Sequence, residues 1–294
     1  MDILRPAARR YSGAITRPDR WATWAPRDGD ILVCTPPKSG TTWTQTMLAM
    51  LVNGGPELPA PLGAISPWVD ADLGVGPAEV ARTIEALPGR RVLKTHTPAD
   101  GFPVWDGVTV VAVYRHPLDV FFSLRKHIAN RHVGEDHPMK GPVSEALARF
   151  LDGPMDPEDL DNDALAIVVH HYLQTARSGR VPGLVLMHYA DMIRDAEGTL
   201  RQLAGAAGIA VSDAAIAAIA EASGIDAMRG KAELYAPVGG TGFWKEDAAF
   251  FATGGAGNWQ GQLTEADLAA YEARITALIP DPEARGWLER GAGG

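Results

Sequence analysis

Cysteine is almost missing from this 294-residue chain, in which Cys34 stands alone. A lone thiol makes no intrachain disulfide and no cysteine-rich zinc site, which fits a reducing compartment. Basic residues are in deficit, 27 Lys and Arg against 36 Asp and Glu, for a net charge of −9. A coat for DNA or RNA is thereby excluded, because phosphate neutralisation needs surplus cations. No apolar run reaches the roughly 18 residues of a transmembrane helix. The N-terminal MDILRPAARRYSGAITRP has arginines but no apolar stretch of secretory-signal length. Asp2 and Asp19, with Pro6 and Pro18, argue against an organelle transit peptide. The chain reads as a cytoplasmic protein with a leader over 1–28, a single domain over 29–290 and a tail over 291–294.

What is present is core-forming material. The sequence is 46% hydrophobic and 21% charged, outside the range of disordered or low-complexity chains. Short β-branched and aliphatic runs at 31–35, 92–95, 108–114 and 184–188 read as buried strands. Helical periodicity fills 42–52, 78–87, 118–131, 164–178, 199–207, 213–221 and 265–279. Strands alternating with helices imply an α/β fold, a parallel β-sheet flanked by helices on both faces.

Two stretches interrupt this pattern. Asp152, Asp156, Glu158, Asp159, Asp161 and Asp163 follow one another without a basic residue. Ca²⁺-loop spacing is absent, and acids before a helix suit its dipole, so a solvated loop is expected there. The Gly- and aromatic-rich stretch 237–257 reads as a long loop, ordered or gated by a ligand.

Chemistry concentrates where the first strand ends. Thr35 leads into Pro36-Pro37-Lys38-Ser39-Gly40-Thr41-Thr42-Trp43 and then an amphipathic helix. Backbone N–H groups of such a loop converge at the helix N-terminus and make an anion cradle. Lys38 precedes the only glycine by two residues, unlike the G-x-x-x-x-G-K-[ST] loop that holds a nucleoside triphosphate and magnesium. A capped helix with a solvated Lys38 is the plainer alternative.

P-K-S-G-T-T-W resembles the 5′-phosphosulfate loop of the cytosolic-type sulfotransferases, which have a P-loop-like fold and use 3′-phosphoadenosine 5′-phosphosulfate (PAPS). The resemblance continues in order along the chain. Lys94-Thr95-His96-Thr97-Pro98 is similar to the family's strand-end K-T-H-x-P, whose histidine is the catalytic base. Arg115-His116-Pro117-Leu118-Asp119, with Ser123 after it, resembles R-x-P-x-D-x-x-x-S, whose Arg and Ser hold the 3′-phosphate. Tyr189, in His188-Tyr189-Ala190-Asp191-Met192, falls at an adenine-contacting position, and Ser223 and Met228 lie in a second stretch near the adenine. The resemblance also implies that Trp43 stacks on the adenine. Gly257-Asn258-Trp259 stands where the family has G-D-W.

The resemblance thus implies a sulfotransferase of the EC 2.8.2 type that releases 3′-phosphoadenosine 5′-phosphate (PAP), with no metal. The implied catalytic residues are His96, Lys38 and Lys94. Those implied for the nucleotide are Lys38, Ser39, Gly40, Thr41, Thr42, Trp43, Arg115, Ser123, Tyr189, Ser223, Met228 and Gly254. Physical chemistry fits these roles, since sulfonate transfer, like phosphoryl transfer, asks mainly for positioning and charge stabilisation. An imidazole with a reference pKa near 6.5 suits a base for a hydroxyl acceptor. His170-His171 occupy adjacent helical positions that share no face, which argues against a metal pair.

One departure stands out. The phosphate-clamping R-K-G of the family is replaced by Ala252-Thr253-Gly254, leaving Arg229, Lys231 or Lys245 as substitutes for the missing cations. The polar Leu124-Arg125-Lys126-His127 implies an acceptor pocket less oily than one built for phenols. The expected acceptor is a hydroxyl or amine of a small molecule or lipid, with a homodimer left open. The alternatives are a non-catalytic PAP- or nucleotide-binding protein of the same fold, and a P-loop kinase.

Overall fold

The computed structural model describes residues 1–251 and 254–293. Its centre is a four-stranded parallel sheet of β1 (Ile31–Cys34), β2 (Val92–Thr95), β3 (Thr109–Tyr114) and β4 (Val185–His188), in the order β2-β1-β3-β4. The chain runs from β1 out to β2 and then crosses to β3 on the other side of β1. The carboxyl edge of β1 is therefore a topological switch point, where α/β sheets bind ligands.

These strands are mostly apolar because both faces are covered, with the polar Lys94, Thr95 and His188 at their carboxyl ends. Ile31, Val33, Val111 and Val113 pack into one core with Met47 and Leu48 of helix α1 (Thr41–Asn53) and with Leu200, Leu203, Ile216 and Ile219. Their alternating neighbours face the other way. Ala112 and Tyr114 join Phe121, Phe150, Tyr172, Ile275 and Leu288, while Leu32 and Leu93 pack with Trp21, Trp24 and Phe102. A buried, bidentate Arg91–Asp30 pair, with nitrogen–oxygen distances of 2.9 and 2.5 Å, ties the start of β2 to that of β1.

The N-terminal segment folds onto this body. Ile3–Arg5 pairs antiparallel with Val104–Trp105, and buried Tyr11 donates to Asp100 at 2.8 Å. Among the described residues no helix is long and apolar enough to cross a membrane.

The expected strands stand within a residue of their observed ends. Helix ends also shift slightly, with Pro117 and Pro77 opening their helices at the first position, where a missing N–H is harmless. The stretch 164–178 is not one regular helix. It is α-helical over Leu165–Tyr172 and then continues as a π-helical turn over Leu173–Arg177. Helices at Val143–Asp152, Tyr189–Arg194, Ile225–Gly230 and Pro282–Arg290 add to those expected. The acidic stretch is only partly solvated, because Asp161 accepts from the backbone of Ile15 and Thr16 and from the Thr16 hydroxyl, at 2.7 to 2.8 Å.

Candidate active site

Three loops leave the carboxyl edge of the sheet side by side. The loop after β1 turns sharply into α1. Lys38 takes a positive φ of 61° and Gly40 one of 110°. A side chain at Gly40 is also excluded by packing, since its Cβ would lie 2.8 Å from Cδ2 of Tyr189. The Thr35 and Thr41 hydroxyls meet at 2.5 Å and close the turn. Ser39 and Thr41 are buried, and Thr42 and Trp43 are half-buried at the helix start. The Gly40 carbonyl accepts from the Thr44 N–H and hydroxyl as the first turn of α1 begins.

At the end of β2, Lys94 and His96 both meet the ring of Trp68. Lys94 Nζ lies 4.2 Å from the ring centroid, and the His96 ring approaches it edge-on at 4.5 Å. Nδ1 of His96 lies 2.6 Å from the Thr35 carbonyl oxygen. A carbonyl only accepts, so Nδ1 carries the hydrogen and Nε2 the lone pair. Burial, and then the neighbouring Lys94, hold His96 well below its ordinary range, so the ring is neutral at physiological pH. Burial likewise lowers Lys94 to about 8, against the opposing pull of Asp70.

Asp70 underlies this group. Its carboxylate accepts from Thr95 Oγ1 at 2.9 Å, Thr97 Oγ1 at 2.6 Å and Trp68 Nε1 at 2.8 Å. It therefore locks the backbone on both sides of His96 and the ring that both basic side chains touch. Burial raises the Asp70 carboxyl to about 6 in spite of those donors.

At the end of β3, Arg115 is buried between the cradle and the far loop. Nη2 donates to the Gly255 carbonyl at 2.9 Å, Nη1 lies 3.4 Å from the Lys38 carbonyl, and the guanidinium stands over Tyr189 at 4.5 Å. Its Nε has no hydrogen-bond partner, and neither has Nε1 of Trp43. Trp43 meets Tyr189 edge-on at 5.6 Å. Two buried donors beside an anion cradle fit a polar, anionic ligand. Asp119, in the first turn of helix α2 (Pro117–Ala129), accepts from the N–H groups of Gly257 and Asn258 at 2.8 and 2.7 Å. It pins the loop whose Gly255 carbonyl Arg115 engages.

The residues singled out in the sequence separate into two groups. Lys38, Ser39, Gly40, Thr41, Thr42, Trp43, Lys94, His96 and Arg115 belong to the three adjoining strand ends described above, and Tyr189 joins them from the end of β4. Ser123 is half-buried on α2, one turn before His127. Met228 is buried in the core that contains Tyr189, and Ser223 is fully buried at the end of its helix, 3.4 Å from the Ala220 carbonyl. Gly254, with φ of 42°, packs against Ile225. Ala252 and Thr253 lie outside the described residues. Of the candidate substitutes, Arg229 donates to the Phe251 carbonyl at 2.7 Å, and Lys245 to the Ala129 carbonyl at 2.8 Å.

Sequence reasoning missed Trp68, Asp70 and His127. Asp70 and Trp68 come from a loop whose backbone pairs with β2 as an isolated bridge between Trp68 and Lys94, and not as a strand. Asp119 stood within the quoted motif, and its spacing from Arg115 was the one signal available. His170 and His171 diverge as expected from adjacent positions, His170 to Tyr11 at 2.7 Å and His171 to Tyr114 at 2.9 Å.

Comparison with known proteins agrees with this geometry. The sulfotransferase domain family model matches residues 28–281. A glycolipid sulfotransferase of Mycobacterium bovis is 35% identical over 94% of this chain and 92% of that protein. Rat sulfotransferase 1A1 is 32% identical over 42% of this chain and 43% of its own. Among solved structures, retinol dehydratase in complex with retinol and PAP superimposes with a TM-score of 0.69 at 19% identity, over 90% of this chain and 84% of that one. Mouse sulfotransferase SULT7A1 complexed with PAP gives 0.68 at 18% identity, over 92% and 90%. A parallel sheet with a strand-end cradle, an anchored histidine and these matches lead to one conclusion: the chain belongs to the sulfotransferase family.

Proposed function

We propose that this sulfotransferase takes its sulfonate from PAPS, holds the nucleotide across the carboxyl edge of the sheet, and delivers the sulfonate to a hydroxyl of a glycolipid. The observation that carries the reading is the convergence of Lys38, Lys94 and His96 at adjoining strand ends, with the His96 ring fixed by Thr35. The acceptor class rests on the mycobacterial glycolipid sulfotransferases, which are similar over most of the chain. The donor rests on the PAP held by the two structural neighbours and on Trp43 Nε1 and Arg115 Nε, which make no hydrogen bond, the latter lying 4.0 Å from Asp119.

In this reading Nε2 of His96 accepts the proton of the acceptor hydroxyl as its oxygen bonds to sulfur. The bond from sulfur to the bridging phosphate oxygen breaks, and PAP leaves with the electron pair. Lys38 opposes the charge building on that oxygen, and Lys94 the charge on the transferring sulfonate. Removing the donors that face developing charge typically costs a hundredfold or more in rate, which is about 3 kcal/mol. Arg115 and Ser123 hold the 3′-phosphate, while Tyr189 and Trp43 line the adenine side.

The test supplies PAPS with a glycolipid and, separately, with the same lipid stripped of its sugar. Mass spectrometry should find one added sulfonate on the intact glycolipid alone. Sulfonation of both lipids at equal rate moves the acceptor from the sugar to the lipid. No acceptor-dependent PAP formation with any hydroxyl compound removes the reading.

A further inference from the structure

Beyond the groups assigned so far, His127 and Phe250 both touch the cradle lysine. His127 lies on α2 one turn past Ser123, and its Nδ1 is 3.3 Å from Lys38 Nζ. The same ammonium stands over the Phe250 ring at 4.4 Å. His127 is in turn wedged by the Gly- and aromatic-rich segment. Its ring meets Trp244 edge-on at 4.8 Å and Phe250 at 6.3 Å. That segment is stapled to the end of α2, where Lys245 N–H donates to the Asn130 carbonyl at 2.9 Å and Asn130 Nδ2 to the Glu246 carbonyl at 2.9 Å. Trp244 Nε1 is held by the Pro237 carbonyl at 2.7 Å. Lys38, α2 and the segment around Trp244 thus form one continuous chain of contacts.

We propose that His127 is a positioning residue for Lys38: its Nδ1 accepts from Lys38 Nζ while the donor is absent and sets where that nitrogen waits. The inference rests on the assignment of Lys38 to the donor site made under Proposed function. Burial, and then Lys38, Arg131 and Lys94, keep His127 near 2, so the ring stays neutral and its lone pair available. The ammonium it receives is itself weakly held. Burial first, then Arg115 and Lys94, lower Lys38 to about 7, with Asp163 alone opposing them. The dianionic 5′-phosphate of the nucleotide at the cradle reverses that balance, so nucleotide binding at alkaline pH brings a proton to Lys38. A neutral imidazole tolerates both states, because it accepts from an ammonium and equally from a neutral amine.

The test counts protons taken up when PAP binds at pH 8, by calorimetry in two buffers of different ionisation enthalpy. Wild type should take up most of one proton more than Lys38→Arg, whose guanidinium stays charged. His127→Ala admits water to the amine, raises its pKa and should abolish most of that difference. It should also raise the KM for PAPS more than it lowers kcat. His127→Asn, which restores an acceptor, should recover the KM. If His127→Ala does not fold, His127→Phe decides: its ring keeps the contact with Trp244 and keeps water out, so uptake should stay at the wild-type value, while loss of the acceptor should still raise the KM for PAPS. Wild-type uptake in His127→Ala, or a wild-type KM in His127→Phe, overturns the inference while leaving Lys38 in its role. Full transfer by Lys38→Ala would instead overturn the donor-site reading beneath it.

Discussion

Nδ1 of His96 donates to the carbonyl of Thr35 across 2.6 Å, so the residue that opens the anion cradle also sets the tautomer of the candidate base. Donor site and base are thereby coupled through one peptide group. Because burial and Lys94 hold His96 well below 6.5, the acid limb of kcat/KM should lie below pH 6.5. A pH profile from mildly acidic to alkaline buffer checks this, and an acid limb at or above pH 6.5 would contradict it.

Asp70 supports Lys94 electrostatically and the His96 backbone mechanically. Its carboxylate raises Lys94, which burial brings to about 8. Removing the charge in Asp70→Asn lowers Lys94 further, so activity lost on deprotonation of Lys94 should disappear at a lower pH than in wild type. The amide also cannot accept from all three donors of Thr95, Thr97 and Trp68. Stability should fall by about 2 kcal/mol, within the range for hydrogen bonds to a charged group. A basic limb unmoved in the variant would detach Asp70 from Lys94.

Gly40→Ala should damage the cradle without touching any charge. The position has φ of 110°, and the new methyl would lie 2.8 Å from Cδ2 of Tyr189. Strain of this kind costs about 1–3 kcal/mol. Displacing Tyr189 would also disturb the Arg115 guanidinium that stands over it. Calorimetry should therefore show a loss of PAP affinity larger than the loss of thermal stability.

Arg115→Ala is expected to be unusually harmful. Two cations found in this family's 3′-phosphate clamp are replaced by Ala252 and Thr253. Arg229 and Lys245 hold backbone carbonyls at 2.7 and 2.8 Å. Each charge-assisted hydrogen bond contributes about 1.5–3 kcal/mol, so losing Arg115 should weaken PAP at least tenfold. ADP, which lacks the 3′-phosphate, should be affected far less. Equal losses for the two nucleotides would place the 3′-phosphate elsewhere.

Strands and cradle were legible because one signal determines each. A strand buried on both faces needs an apolar run, and residues 31–34, 110–113 and 185–187 supply one, while Val92 and Leu93 precede Lys94 and Thr95 at the carboxyl end of β2. The cradle announces itself by glycine and hydroxyls at a strand-to-helix turn. Trp68 and Asp70 were not legible, because they reach β2 through a loop with no period of its own. His127 was read only as part of the polar Leu124-Arg125-Lys126-His127, which implied a less oily acceptor pocket and gave no sign of a contact with Lys38. Its partners Trp244 and Phe250 lie more than a hundred residues away, a pairing that only the folded chain displays. The π-helical turn at Leu173–Arg177 follows apolar spacing that an α-helix would also satisfy.

The account stands most directly on His96, and one comparison tests it. Wild type and His96→Ala are given PAPS and a glycolipid acceptor, and PAP formation and PAP affinity are measured for each. Loss of the general base should lower transfer by about 10²–10⁴-fold, with PAP binding nearly unchanged because the cradle and Arg115 remain. Near-wild-type transfer by the variant would contradict the account, and a parallel loss of PAP affinity would make His96 a structural residue of the cradle.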